Sequence, residues 1–209
     1  MVRDAKADPA IMIGDFAASG NPFEVAANVK KEDIIYTIGG KWKQRYVVKE
    51  GESLRILPAG WIVKDKKWQP YNDKDWNQRD WGEACIACHT TGYDPQTKKW
   101  VDDGVSCEAC HGPGAKHADK PAKDNIINPK TLTAQQQIET CGQCHVRGKN
   151  PNGREDALGY LPGKDYGQFM KPLTPSAEEL AKEKPAFYPD GASKKHHQQY
   201  SRRHHHSYL

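Results

Sequence analysis

The chain has 209 residues, which is enough for one domain or two small ones. Only 36% of the residues are hydrophobic and the mean hydropathy is −0.90, so side chains alone give a thin core, and no stretch is long and apolar enough for a membrane span. The formal charge of +4 comes from basic residues scattered along the chain, which argues against a nucleic-acid partner.

Residues 33–70 have the pattern of a small antiparallel sheet. Short runs rich in β-branched and aromatic residues are separated by glycine and proline, as expected for strands joined by turns. We assign this sheet to an N-terminal segment, residues 1–80, which forms one compact unit with residues 81–209. The predicted strands are Ile34–Ile38, Trp42–Val48, Ser53–Leu57 and Trp61–Val63.

Three copies of Cys-x-x-Cys-His follow the predicted sheet and together use all six cysteines. This pattern is the attachment site of c-type haem. Two thiols three positions apart can reach the two vinyl groups of one porphyrin, and the imidazole that follows can bind the iron as proximal ligand. We therefore predict three covalently attached haem c groups. The residues concerned are Cys85, Cys88 and His89, then Cys107, Cys110 and His111, then Cys141, Cys144 and His145.

Zinc and disulfide bonds are the alternative uses of paired cysteines. A structural zinc site combines Cys-x-x-Cys units into four ligands, so three units leave one over, and zinc does not require a histidine after every pair. An even number of cysteines also permits a disulfide framework. Because a histidine follows each pair, haem is favoured. We predict a mostly irregular multihaem cytochrome c with a small antiparallel sheet, a few short helices and a haem stack as its core.

The segments around the second and third motifs are predicted to combine loops with one helix. Gly112-Pro113-Gly114 ends any helix at the second motif, and residues 115–130 are predicted to be a loop. A capping box at Thr133 and Gln136 predicts a helix over Ala134–His145, which delivers the third motif.

Several stretches of the chain resemble one family. They are Ile38-Gly-Gly-Lys-Trp-Lys-Gln-Arg-Tyr-Val-Val48, Cys85-x-x-Cys-His-Thr-Thr-Gly92, Gly104-Val-Ser-Cys-Glu-Ala-Cys-His-Gly-Pro-Gly114, Cys141-Gly-Gln-Cys-His145 and His196-His-Gln-Gln-Tyr200. With them, roughly residues 11–200 resemble the periplasmic and extracellular multihaem c-type cytochromes related to the tetrahaem cytochrome of ammonia oxidisers. That family often carries a further haem motif on either side of this region, and neither is present in this sequence.

Six histidines besides the three proximal ones are candidates for the distal position on the iron. The resemblance implies that His117, in Gly-Pro-Gly-x-x-His, is a distal ligand. His196 or His197 is the second candidate, and one of His204, His205 and His206 is the third. These five lie in a predicted terminal helix that starts at Ala192. Alternatively the tail is a polar end, and Met12 or Met170 is either an axial ligand or a packing residue.

The distal ligand decides between three functions. Iron with two histidine ligands has no open position, which favours electron transfer by hopping between closely packed haems. A missing distal ligand leaves an open iron, which favours a reductase of nitrite, hydroxylamine or peroxide. Tail histidines given to a neighbouring subunit would favour a head-to-tail oligomer, an extracellular conductive filament.

The cofactor also bears on partners and location. We expect redox partner proteins that are themselves multihaem cytochromes. Haem c is attached outside the cytoplasm, so a periplasmic or extracellular location is expected. The longest apolar run near the start, Ala10–Ile13, is too short for a signal-peptide core, so we expect the export signal to lie outside this sequence.

Overall fold

The computed structural model describes residues 2–146, 148–173 and Glu178 of the chain. The chain divides into two compact units, Met1–Ser106 and Cys107–Leu209. The first Cys-x-x-Cys-His motif therefore groups with the predicted sheet, whereas the boundary expected from the sequence falls after residue 80. The second and third motifs both lie in the second unit.

A six-stranded antiparallel sheet forms the first unit, which confirms the small sheet predicted from the sequence. Strands β1, β2, β3, β5 and β6 lie side by side in that order, and β4 pairs with the end of β3 that β5 leaves open. Strands β1 and β6 add to the four predicted ones. The strands are β1 (Val2–Asp4), β2 (Ile34–Gly39), β3 (Lys43–Glu50), β4 (Ser53–Ile56), β5 (Ala59–Ile62) and β6 (Lys67–Pro70).

Aromatic side chains fill the core on this sheet. Tyr46 is fully buried on β3, and its ring lies 4.9 Å from that of Phe16 and 5.6 Å from that of Trp68. Trp61 and Trp76 belong to the same buried cluster. Residues 1–106 therefore have a core of side chains, which the low hydrophobic content did not lead us to expect.

A buried amide ties the segment before the sheet to β3. Gln44, which is 2% exposed, donates to the carbonyl oxygen of Ile11 and accepts from the backbone N–H of Ile13. The same amide oxygen accepts from the hydroxyl of Tyr46, which in turn accepts from the N–H of Gly14. This network gives partners to groups that burial would otherwise leave unpaired.

Five short helices carry or flank the motifs. They are α1 (Trp81–Ala84), α2 (Ile86–His89), α3 (Glu108–His111), α4 (Ala115–Asp119) and α5 (Ala134–His145). Two further strand pairs are β7 (Thr90–Thr91) with β8 (Asp102–Asp103), and β9 (Gly148–Lys149) with β10 (Lys171–Pro172). In the described part of the chain, no helix is long and apolar enough to cross a membrane.

Helix α5 starts where the sequence predicted, at a capping box in which Thr133 and Gln136 each bond the other's backbone N–H. The loop predicted over residues 115–130 is wrong in part, because α4 begins it. The amide of Asn125 donates to the carbonyls of Lys116 and Lys120, so the chain folds back and gives partners to the end of α4.

Candidate haem-binding sites

The first motif lies on the turn formed by α1 and α2, next to β4. Asp80 caps α1 by accepting from the N–H of Gly82 at 2.8 Å. Ile86, between the two cysteines, is fully buried, whereas His89 at the end of the turn is exposed. Burial of Ile86 therefore anchors the turn, and the histidine at its end lies at the surface.

The second motif forms the single turn of α3, and its histidine has a defined tautomer. Nδ1 of His111 lies 2.7 Å from the carbonyl oxygen of Ile127, and the N–H of Ile127 donates back to the carbonyl of His111 at 3.1 Å. A carbonyl only accepts, so Nδ1 carries a proton, and in the neutral imidazole Nε2 is then the nitrogen that could bind a metal. Histidines that bind metals usually hold their other nitrogen in this way.

The backbone conformation directly after His111 requires a glycine, Gly112. Its backbone has φ 70° and ψ −175°, a conformation that only glycine adopts without strain. The next glycine, Gly114, donates its N–H to the carboxylate of Glu108 at 2.6 Å, so the chain turns back onto the motif it has just left.

The third motif occupies the last turn of α5. Ile138, Cys141 and His145 are spaced three and four residues apart, which places them on one face of the helix. All three are exposed, and Ile138 is 52% exposed although it is apolar. This face is suited to cover a large apolar group, and the sequence analysis did not single out Ile138 for that role.

Two tyrosines, neither part of a predicted site, lie against the third motif. The hydroxyl of Tyr166 donates to the carbonyl of Gly142 at 2.9 Å. Tyr166 belongs to a buried cluster with Tyr160 and Met170, and Met170 is fully buried there. Met170 is therefore a packing residue, one of the two roles that the sequence left open.

The second and third motifs touch each other. The side-chain amide of Gln143, between Cys141 and Cys144, donates to the carbonyl of Ala109, between Cys107 and Cys110, at 2.8 Å. Burial raises the pKa of the Cys110 thiol, and the neighbouring thiols of Cys141 and Cys144 raise it further. The two attachment turns are thus held side by side.

His117 lies in the same unit and has the same tautomer as His111. Its Nδ1 lies 3.0 Å from the carbonyl of Ala122 and 2.9 Å from the amide oxygen of Asn125, which are both acceptors. The orientation of the Asn125 amide follows from its two bonds to backbone carbonyls, so Nδ1 carries a proton, and in the neutral imidazole Nε2 is the nitrogen that could bind iron. His117 lines a cavity of about 980 Å³ with the apolar side chains of Pro121, Ile126, Ile127, Leu132 and Pro162.

The residues at the motifs fit covalently attached haem. Cysteine is among the most buried residue types, yet Cys107, Cys110 and Cys141 are exposed. All six cysteines keep their thiols outside disulfide bonds. Among the described residues, no three His, Cys, Asp or Glu side chains form a cluster suited to a metal ion. Haem iron requires only axial ligands from the protein, because the porphyrin supplies the others.

Six buried polar atoms of the described residues have no hydrogen-bond partner, and two of them lie next to the motifs. They are the indole N–H of Trp81, four residues before Cys85, and the hydroxyl of Ser106, directly before Cys107. The other four belong to Thr37, Arg45, Arg55 and Tyr160, so unpartnered atoms are not confined to the motifs.

The tail histidines predicted as distal ligands, His196, His197, His204, His205 and His206, lie outside the described residues. The terminal helix predicted from Ala192 onward lies outside them as well.

Comparison with known proteins identifies one family and one solved structure of similar fold. The family model described as cytochrome c554 and c-prime matches residues 41–112, which include the first two motifs. The crystal structure of the outer cell wall cytochrome OcwA matches 94% of this chain with 28% identity and a TM-score of 0.72. This chain covers 44% of OcwA, so it spans less than half the length of that protein.

A second solved structure is more distant. It is an undecahaem cytochrome from the S-layer of Carboxydothermus ferrireducens, with 21% identity, a TM-score of 0.48, and coverage of 69% of this chain and 22% of that one. No curated protein matches.

These findings make the chain similar to the multihaem c-type cytochromes, and that similarity supports covalently attached haem c as its cofactor. The similarity to cytochrome c554 and c-prime covers residues 41–112, and the similarity to the outer cell wall cytochrome OcwA is one of fold. The resemblance predicted from the motifs is confirmed.

Proposed function

We propose that this protein transfers electrons through three haem c groups, one on each Cys-x-x-Cys-His motif. The observation that carries the proposal is the contact between the second and third motifs, where Gln143 bonds the carbonyl of Ala109. Attachment turns held this close bring their haems close together, and electrons hop efficiently only between close groups. The cysteines of each motif would hold the porphyrin, and His89, His111 and His145 would be the proximal ligands.

Histidine is the proposed distal ligand throughout. His117 is supported by the contacts that hold its Nδ1, which leave Nε2 as the nitrogen toward iron, and by the cavity that it lines with several apolar side chains. The other two distal ligands are proposed to come from the final segment, one from His196 and His197 and one from His204, His205 and His206. Two histidines on each iron leave no position for a substrate, which supports electron transfer over the reductase alternative.

Mass and spin state test this proposal together. The intact mass should exceed that of the polypeptide by three haems, and the oxidised protein should give low-spin EPR signals that do not respond to cyanide or nitrite. His117→Ala should convert one haem to high spin, while Lys116→Ala, an exposed neighbour on the same helix, should not. A mass without haem would contradict the cofactor count, and a ligand-responsive high-spin signal in the unmodified protein would favour a reductase.

The proposed oligomeric state depends on which subunit's iron the tail histidines bind. A tail histidine bound to iron of its own subunit gives a monomeric carrier, and one bound to the next subunit gives a head-to-tail contact that repeats as a filament. Deletion of residues 195–209 should remove low-spin signal in both cases. Loss of high-mass species on deletion supports the filament, and an unchanged size and spectrum would show that the tail supplies neither ligand nor contact.

The proposed partners are other multihaem cytochromes, and the proposed location is periplasmic or extracellular. The location is supported by the similarity to a protein described as an outer cell wall cytochrome.

A further inference from the structure

Gln143 occupies a position that haem attachment itself does not specify. In Cys-x-x-Cys-His the thiols and the imidazole have chemical roles, and the two residues between the cysteines have none. In the third motif one of these residues reaches the backbone of the second motif, since its side-chain nitrogen lies 2.8 Å from the carbonyl oxygen of Ala109. This contact joins residues 34 positions apart in the chain.

The amide of Gln143 has both of its hydrogens engaged. The same nitrogen lies 2.8 Å from the carbonyl oxygen of Thr140, one turn earlier in α5. One bond therefore anchors the side chain to its own helix, and the other holds the neighbouring motif. A side chain whose terminal nitrogen is bound to two carbonyls cannot change rotamer without losing a bond, so it holds the neighbouring motif at a set distance from α5.

The partner carbonyl also needs this donor. Helix α3 is a single turn, Glu108–His111, and the last carbonyls of a helix have no partner within it. Gln143 supplies a donor to one of them. Gln143 is half-buried, which strengthens the bond relative to one in open water.

We infer that Gln143 is a positioning residue that sets the separation of the haems on the second and third motifs and so the strength of their coupling. The inference rests on the proposed function, because it requires a haem on each of the two motifs. It adds that the coupling between this pair depends on one side chain that binds neither porphyrin nor iron.

Gln143→Met tests the inference, because methionine keeps the length of the side chain and removes both donors. The matched control is Gln135→Met, the same change on the same helix, where the amide of the exposed Gln135 bonds the side chain of Glu139. The measurement is the spin–spin broadening of the oxidised haems by pulsed EPR, with the reduction midpoints followed by voltammetry. We expect loss of broadening for one haem pair and a smaller separation of two midpoints in Gln143→Met, and neither change in the control.

The outcomes separate this inference from the proposed function. Unmodified protein without haem on both motifs would overturn the proposed function itself. Three haems in Gln143→Met with unchanged broadening and midpoints would overturn only the role of Gln143. Gln143→Leu, which is also neutral and removes both donors, should repeat the methionine result if that variant matures poorly. Loss of a haem from both variants would also overturn the inference, because Gln143 would then serve attachment rather than spacing.

Discussion

Replacement of Gly112 by alanine is the sharpest test of how the second motif is held. Its φ of 70° and ψ of −175° lie in a region that is essentially restricted to glycine, and a side chain there costs about 1–3 kcal/mol. A β-carbon would also lie 2.9 Å from the Cδ1 atom of Ile127. That side chain would have to leave its preferred rotamer, at a further cost of about 0.5–1.5 kcal/mol. We expect Gly112→Ala to lower the free energy of unfolding by about 2–4 kcal/mol.

Two other glycines provide controls. Gly153 has φ 81°, and a β-carbon added there would meet nothing within 4 Å, so its alanine variant carries backbone strain alone. Gly114, in the same Gly-Pro-Gly sequence as Gly112, has φ −101°, and a β-carbon there would lie 3.4 Å from Oε1 of Glu108. We expect the loss of stability to be largest at Gly112, smaller at Gly153 and smallest at Gly114.

The assay is denaturant unfolding of the holoprotein followed by circular dichroism in the far-ultraviolet and Soret bands. All six tryptophans lie between residues 42 and 100, so fluorescence would report on the first unit rather than on the one that contains Gly112. The reasoning is refuted if Gly112→Ala is as stable as Gly114→Ala, because the turn after His111 would then not require the conformation that only glycine adopts.

Three further outcomes are expected. Gln44→Leu should lower the free energy of unfolding by about 2–5 kcal/mol, because three polar groups lose a buried partner. Gln69→Leu, at an exposed position, is the control and should change it little, and denaturant unfolding of both variants is the measurement. Burial raises the pKa of Tyr46 above its ordinary value of 10.0, so the unfolded state loses the phenolic proton at a lower pH than the folded state does. The free energy of unfolding should therefore fall as the pH rises above 10, and the fall should be shallower in Tyr46→Phe. Tyr166→Phe removes the hydroxyl bonded to Gly142 and should lower the free energy of unfolding by about 0.5–1.5 kcal/mol, measured by thermal unfolding. One reduction midpoint should also shift, and midpoints unchanged from the unmodified protein would show that the third motif does not depend on this bond.

The elements that the sequence predicted well are those defined by local chemistry. Strand β2 ends at Gly39, β3 is rich in β-branched and aromatic residues and is followed by Gly51, and α5 begins at the capping box of Thr133. Strand β1 was not predicted, because three residues carry no period and Val2–Asp4 becomes a strand only by pairing with β2. Helix α4 was missed for a similar reason, since Asn125 completes its end from outside the helix.

At the candidate sites too, features set by local sequence could be predicted, and features set by distant contacts could not. The three motifs could be predicted as haem sites because haem attachment requires those residue types at that spacing, and the proximal roles of their histidines stay a prediction. The tautomer of His111 could not, since it depends on a carbonyl 16 residues away. Neither could the role of Tyr166, which acts across 24 residues. Contacts over such separations are set by tertiary packing, and a single sequence does not record which residues meet.

The residues between the cysteines link the chemistry of each motif to its place in the fold, and each motif uses a different interaction. In the first, Ile86 is fully buried, so the turn is fixed by apolar packing. In the second, the carboxylate of Glu108 accepts from the backbone of Gly114 and draws the following chain onto the turn. In the third, Gln143 reaches the backbone of Ala109 and joins two motifs. Haem attachment places no demand on these positions, so they are free to determine where each attachment turn lies. Substitutions there are therefore expected to change the spacing between haems while leaving their attachment intact.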